Sequence, residues 1–409
     1  MTTFQTIDDL DPGQRVLIRI DINAPVEDGD VQDNRRFERH AETIAELLSD
    51  DHAVAILAHQ GRPGRDTFVS LEQHADILAD HLEQEVGFVA DTFGEDALEA
   101  ISTLEGGEAL VLENARMCDE ELPEEEPDVK AETEFVQTLA PEFDAYVNDA
   151  YSAAHRSHAS LVGFPRVMDA YAGRVMEAEY TANSAIQERE FDGPVTMVLG
   201  GTKAEDLIPV IEQVDDTVDR FCLGGIVGEL FLRADGYDVG YDVEGTDFFD
   251  HQWDEHQETI ERVLSEYGDR LHLASDLAYE SSEASSDDDA GERAEAAVAD
   301  IEKETSYLDV GSETAGEYAD LVRDSDAVFV KGALGVFEDE RFADGTVSVL
   351  SAIAETDCFS VVGGGDTSRS ISMYGLEEAD FGHVSVAGGA YVRALTGEGL
   401  VGVEVLEQA

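Results

Sequence analysis

Two kinds of side chain follow the short apolar runs of this 409-residue chain, and they point to two kinds of chemistry. In the first half the runs are followed by Asp21 and Asn23, by His59 and Arg62, by Arg116, and by His155, Arg156 and His158, with Arg36 close behind the first. A guanidinium presents a planar fork of donors matched to carboxylate and phosphate. Four arginines at strand ends or just beyond them, together with these histidines, predict a site for a small anion. The bland alternative is that they pair with nearby carboxylates such as Glu113 and Asp149. In the second half the same positions are rich in glycine: Gly200, Gly201, Thr202 and Lys203; Gly224 and Gly225; Gly332 and Gly335; and Gly363, Gly364, Gly365, Asp366 and Thr367. Such loops let backbone N–H groups and helix N-termini approach phosphate, and Asp366 can reach a divalent cation. No GxxxxGK[ST] loop occurs, and no GxGxxG follows the first strand of either half, which lowers a dinucleotide-dehydrogenase reading. The residues predict an anionic substrate on one lobe and a nucleotide on the other.

These groups need a scaffold that brings them to one edge. Strand-like runs are expected over residues 15–20, 53–58, 109–112, 145–147, 195–199, 220–223, 327–330, 359–362 and 384–386. Helical pattern lies between them over 37–48, 71–82, 205–214 and 346–355. Strands alternating with helices predict an α/β fold of parallel sheets, and the length favours two of them. In open parallel sheets ligands bind beyond the carboxyl ends of the strands, where these residues stand. Residues 168–189 contain no proline and one glycine, and are expected to form one long helix. It stops before Phe191-Asp192-Gly193-Pro194, a breaker cluster that places the lobe boundary. Residues 280–293 are acidic, low in complexity and expected to be a solvated loop.

Charge narrows the function further. Lys and Arg total 25 against 93 Asp and Glu, for a net charge of −68. Such a chain repels phosphate backbones and anionic bilayers, so neither nucleic acid nor membrane is an expected partner. Hydrophobic residues make up 43% and prolines number nine, which supplies large cores rather than disorder. No run is long enough to span a bilayer, and no export signal precedes the first strand, so a cytoplasmic location is expected. Three scattered cysteines fit a reducing compartment and offer no metal site. Only four basic residues are lysine. A surface made mostly of carboxylate reads as adaptation to high salt, because at about 1 M the Debye length falls to roughly 3 Å.

The segments DINAP, HQGRPG, LENARM, YVNDAYSAAHRSHAS, LGGTKAED, GALGVFE and VVGGGDT run in this order through nearly the whole chain. As a set they resemble phosphoglycerate kinase, of a halophilic, haloarchaeal type. The resemblance implies an α/β fold of two doubly wound parallel-sheet lobes, joined by a helix, with a cleft between them. Residues 1–167 would form the phosphoglycerate lobe, 168–192 the linker helix and 193–390 the nucleotide lobe, with 391–409 returning to the first lobe. It implies reversible phosphoryl transfer between 1,3-bisphosphoglycerate with ADP and 3-phosphoglycerate with ATP, in glycolysis and gluconeogenesis, with Mg²⁺ as cofactor and the monomer as the working unit. Asp21, Asn23, Arg36, His59, Arg62, Arg116 and Arg156 would hold the phosphoglycerate, and Arg36 and Lys203 would stabilise the transferring group. Lys203 and the segment Gly364, Gly365, Asp366 and Thr367 would meet nucleotide phosphates, with Asp366 on the metal. Glu338 would bond the ribose, and Gly201, Gly224 and Gly225 would line the adenine pocket. Arg35, beside Arg36, is expected to face solvent. Two positions depart from the family pattern: Leu207 stands where a second lysine is common, and Lys331 where an asparagine is usual. The alternative is another two-lobed α/β nucleotide- or dinucleotide-dependent enzyme.

Overall fold

A computed structural model describes residues 4–240, 248–281, 291–302 and 305–409. The chain divides into two compact units, Met1–Thr181 with Glu398–Ala409, and Ala182–Gly397.

The first unit is built on six parallel strands, Arg15–Arg19 (β1), Ala53–Leu57 (β2), Val86–Val89 (β3), Ala109–Leu112 (β4), Ala145–Asn148 (β5) and Ala170–Ala172 (β6), in the order β3-β4-β2-β1-β5-β6. The central strands are apolar on both faces because helices cover both, as parallel sheets require. Helix Arg35–Ser49 (α1) buries Phe37, Ile44, Leu47 and Leu48 against Val16, Ile18, Val54 and Ile56. Glu398–Ala409 completes this unit. The Gly402 N–H donates to the Ala154 carbonyl at 2.8 Å, and Val405 packs with Ala150, Ala153, Leu161 and Val162.

The expected helix over 168–189 is shorter. Ala170–Ala172 is the edge strand β6, and the helix is Arg174–Glu188 (α2). The one glycine of this stretch, Gly173, marks the change: a Cβ there would lie 2.2 Å from Asp149 Oδ1. That same oxygen accepts the Val175 and Met176 N–H groups at 2.8 and 3.2 Å and so caps α2. The division between the units falls within α2, after Thr181, and residues 391–397 belong to the second unit.

The second unit carries another six-stranded parallel sheet and a small antiparallel one. The parallel strands are Val195–Leu199 (β7), Arg220–Leu223 (β8), Leu271–His272 (β9), Ala327–Lys331 (β13), Phe359–Gly363 (β14) and His383–Val384 (β15), ordered β9-β8-β7-β13-β14-β15. Asp276–Glu280 (β10), Arg293–Ala297 (β11) and Tyr307–Val310 (β12) form the antiparallel sheet, ordered β11-β10-β12. The run expected over 384–386 is thus the short edge strand β15. The acidic segment expected as a loop lies for the most part, at 282–290, outside the described residues, while its ends Glu280 and Arg293 face each other across β10 and β11. Among the described residues, no helix is long and apolar enough to cross a membrane.

Candidate active site

In the first sheet Leu57, Arg19 and Asn148 lie level at the carboxyl edge, so the residues just after them meet there. Asp21 follows β1 and is almost wholly buried, so its carboxylate needs partners. Arg36 Nη1 lies 2.8 Å from Oδ2, the Ser152 hydroxyl donates to the same oxygen, and the Asn23 N–H donates to Oδ1 at 3.2 Å. Arg36 is brought here by the start of α1, where the Asn34 side chain caps the helix by accepting the Arg36 N–H at 2.9 Å. Burial opposes ionisation of Asp21, but Arg36, the Ser152 hydroxyl and Arg19 outweigh it and hold the carboxyl well below the usual range. Behind it, the Asp21 N–H donates to His40 Nε2, whose Nδ1 lies 2.8 Å from Asp149 Oδ2.

Arg19 is a member of this site that sequence reasoning did not single out. It is fully buried in β1, with Nε donating to Ser160 Oγ at 2.9 Å, Nη1 to the Ile20 carbonyl, and Nη2 to His59 Nδ1 at 2.8 Å. A guanidinium can only donate, so His59 Nδ1 is an acceptor and the ring proton sits on Nε2. Burial first, then Arg19, Arg116 and Arg36, push the His59 pKa well below its ordinary value against the pull of Asp21. His59 is therefore a neutral donor. The available signal was a cation inside an apolar run, which in a doubly covered strand must be buried with partners. Replacing Arg19 by Met should raise the His59 pKa in a nuclear magnetic resonance titration, because one cation that depresses it is gone while Asp21 remains. A fall, or no change in a folded variant, would contradict this arrangement.

Arg116 is also buried, and its Nη1 donates to the Gly61 carbonyl. Burial, then Arg19 and Arg156, lower its pKa to about 10, so it stays charged at neutral pH. Arg19, Arg36, Arg116 and Arg156 thus act electrostatically on His59 or on one another at one sheet edge. The Asn23 side chain accepts the Gly61 N–H at 2.8 Å, tying the β1 and β2 loops together. Arg62, next along, is exposed and makes no side-chain hydrogen bond or ion pair among the described residues. His158 is buried between Glu121 and Glu124, its pKa lowered to about 3 by burial and by Arg116 and Arg19. Arg35 is half-buried rather than solvent-facing, with its Nε shielded from solvent.

The carboxylates offered as alternative partners are engaged elsewhere. Glu113 accepts from the Ser70 hydroxyl and from the Leu71 and Asn114 N–H groups, at 2.8, 3.0 and 2.7 Å. Asp149 serves His40 and the α2 cap.

The second sheet repeats the geometry with different chemistry. Leu223, Leu199, Lys331 and Gly363 lie level across β8, β7, β13 and β14, and a glycine follows each. Three helices start just beyond: Ala204–Gln213 (α3) with Lys203 as N-cap, Gly225–Ala234 (α4) with Gly224, and Gly365–Met373 (α5) with Gly364. Their N-termini share one edge, and each offers N–H groups to an anion. The loops cross so tightly that only glycine fits: a Cβ on Gly200 would lie 2.2 Å from the Ala333 carbonyl oxygen, and one on Gly332 would lie 2.1 Å from that of Gly200. Between them is a cavity of about 330 Å³ whose lining includes Gly201, Gly224, Gly225, Glu338 and Asp366. Lys203 and Asp366 are exposed, while the Thr367 hydroxyl is buried without a hydrogen-bond partner among the described residues. Glu338 is half-exposed, 3.5 Å from Arg369 Nη1. Leu207 is buried one turn beyond Lys203, on the core face of α3. Lys331 brings a second ammonium to this edge, its Nζ 3.6 Å from where a Gly364 Cβ would lie. Its place at the end of β13 was legible, but that it points towards the Gly364 loop was not.

A family model described as "Phosphoglycerate kinase" matches residues 7–398. A phosphoglycerate kinase of Halorubrum lacusprofundi is 69% identical over 410 residues, covering 100% of this chain and 99% of the relative. One of Haloarcula marismortui is 68% identical, covering 99% and 100%. Among solved structures, the phosphoglycerate kinase of Pyrococcus horikoshii OT3 aligns with a TM-score of 0.89 at 32% identity, over 98% of each chain. That of Coxiella burnetii aligns at 0.79 and 29% identity, over 99% of each.

Proposed function

The chain belongs to the phosphoglycerate kinase family, and from that premise we propose how its own residues carry out the transfer of a phosphoryl group between 1,3-bisphosphoglycerate and ADP. The observation that carries the reading is the contrast between two sheet edges in a chain of net charge −68. One edge concentrates guanidiniums around a neutral histidine, and the other assembles helix N-termini around a cavity. The first unit takes the phosphoglycerate. Arg62, Arg116 and Arg156 hold its remote phosphate, Asp21, Asn23 and His59 orient the glycerate, and Arg36 reaches the phosphoryl group in transfer. The second unit takes the nucleotide, with Gly201, Gly224 and Gly225 along the base, Glu338 at the ribose, and Lys203, Lys331 and the Gly364–Thr367 segment at the phosphates.

Mg²⁺ fits this donor set. Among the described residues no group of three or more His, Cys, Asp or Glu could cage a metal, so Asp366 offers one carboxylate beside the phosphates, which suits an ion that prefers phosphate oxygens and water for its other ligands. When bound, Mg²⁺ neutralises phosphate charge. Everything else falls to the protein. In the direction of ATP use, the nucleophile is a carboxylate already ionised at neutral pH, so no general base is required. A neutral His59 that donates from Nε2 suits that role of orientation. Arg36 and Lys203 stabilise charge on the transferring group, and in-line positioning supplies the rest. We take the working unit to be the monomer, in a saline cytoplasm where its three free thiols stay reduced.

Two measurements test the reading. A coupled assay with 3-phosphoglycerate and MgATP in multimolar KCl should show ATP-dependent turnover, and its absence would defeat the assignment. Hydrogen exchange should then separate the ligands. 3-Phosphoglycerate is expected to slow exchange at residues 20–24, 59–62 and 114–117, and ADP at 200–204, 224–228 and 363–368. The reverse pattern would overturn the division of labour.

A further inference from the structure

Arg19 and Glu121 are both wholly buried in the first unit, and buried charges of opposite sign ordinarily pair with each other directly. Here one hydroxyl stands between them. Ser160, in the short helix Ala159–Val162, accepts from Arg19 Nε at 2.9 Å and donates to Glu121 Oε1 at 2.7 Å. The direction of this chain is fixed. A guanidinium can only donate, so the single hydrogen of the hydroxyl is left for the carboxylate. Ser160 is itself held at two further points. Its N–H donates to Glu121 Oε2 at 2.7 Å, and its carbonyl accepts from the Tyr146 hydroxyl at 2.7 Å. With Nε on Ser160 and Nη1 on the Ile20 carbonyl, Nη2 is aimed at His59 Nδ1, 2.8 Å away.

A second group competes for that ring nitrogen. Asp21 Oδ1 lies 3.8 Å from His59 Nδ1, and a carboxylate there favours a proton on Nδ1, whereas Arg19 needs a lone pair on it. The two tautomers differ in what they offer at Nε2, a donor when Arg19 holds Nδ1 and an acceptor when Asp21 does. The carboxylate and phosphate of phosphoglycerate can only accept, so the tautomer that orients them is the first. We propose that Ser160 is a positioning residue for phosphoglycerate: as a spacer it keeps Arg19 from closing onto Glu121, and so leaves Nη2 to hold His59 in the tautomer that donates from Nε2. The proposal rests on the reading of this sheet edge as the phosphoglycerate site. Without the hydroxyl, Arg19 Nε loses an acceptor and Glu121 Oε1 loses a donor. A buried cation and carboxylate left in that state satisfy one another, and the guanidinium turns away from His59.

The test is nitrogen-15 magnetic resonance of the histidine rings of the full chain in multimolar KCl, with the His59 signals assigned by their loss in His59→Gln. At neutral pH the wild-type His59 should carry its proton on Nε2 and none on Nδ1. Ser160→Ala should mix the two tautomers. It should also raise KM for 3-phosphoglycerate by about tenfold, the scale of one hydrogen bond to a charged group, and leave KM for MgATP unchanged. A folded Ser160→Ala that keeps the single tautomer, or that mixes the tautomers with no rise in KM for 3-phosphoglycerate, would overturn the proposal alone. So would a wild-type His59 with its proton on Nδ1, a result that needs no variant to fold. If 3-phosphoglycerate is turned over but leaves the wild-type His59 signals unmoved, the reading of this edge as its site is overturned instead.

Discussion

Arg36→Met is expected to lower kcat by two or more orders of magnitude while leaving KM for 3-phosphoglycerate within a few-fold of wild type. The scale is that of removing one donor aimed at charge that develops in a transition state, about 2.7–4 kcal/mol. Arg36 can play that part because its side chain is a quarter exposed and anchored through one nitrogen, Nη1, to Asp21. Arg116 is the contrast. It is buried and bonded to the Gly61 carbonyl, so Arg116→Met should chiefly raise KM, as loss of a uniform binding contact does. Because Arg35 is half-buried beside Arg36, the neutral control is Arg323→Met, an exposed site whose partners are Asp320 and Glu355. Arg36→Met also deprives Asp21 of its nearest cation. Asp21 has a depressed folded-state pKa, so it stabilises the protein above the unfolded carboxyl pKa of about 3.9, and that stability is lost as pH falls. The variant should therefore unfold at a higher pH in an acid titration. A variant that is folded by circular dichroism and retains wild-type kcat would remove Arg36 from the chemistry.

Dialysis into dilute buffer should abolish the fold, or most of the activity, in a protein that is stable in multimolar KCl. Carboxylates outnumber basic residues by 93 to 25, and many of the cations are already paired. Arg174 alone gathers Asp8, Glu46 and Glu177, while Lys130 is buried with its ammonium donating to the Glu120 carbonyl. Exposed pairs of this kind contribute about 1 kcal/mol at most, too little to offset the repulsion that appears when the Debye length grows to about 10 Å at 0.1 M. Circular dichroism across a KCl series measures this. An unfolding midpoint independent of salt would show that the charge excess carries no structural cost.

Legibility differed between elements for physical reasons. Runs buried on both faces, such as 195–199 and 109–112, announce themselves by unbroken apolar sequence, and their ends match the strands found. Val86–Val89 escaped because it is a half-buried edge strand with a glycine inside it. The antiparallel sheet escaped because Arg293–Ala297 alternates charge with alanine and offers no apolar run. In the stretch 168–189 the absence of proline outweighed Gly173, although that glycine was the break. Most of the candidate residues could be singled out because they follow strands. Arg19 and Ser160 could not, since each lies within an element, and only the packing around it reveals a buried charge or a hydroxyl set between two charges.

The return of Glu398–Ala409 to the first unit has a consequence for synthesis. The second unit is one uninterrupted stretch, whereas the first needs Gly402 against Ala154 and Val405 in its cluster before the loop carrying Arg156 is fully packed. At about 5–20 residues per second, the ribosome spends on the order of ten seconds or more making the intervening chain. During that interval the first unit waits, partly assembled, with its guanidinium edge lacking its last support. The half that begins first in translation is therefore the half that finishes last, and a released chain truncated after residue 397 is expected to hold nucleotide while failing to hold phosphoglycerate.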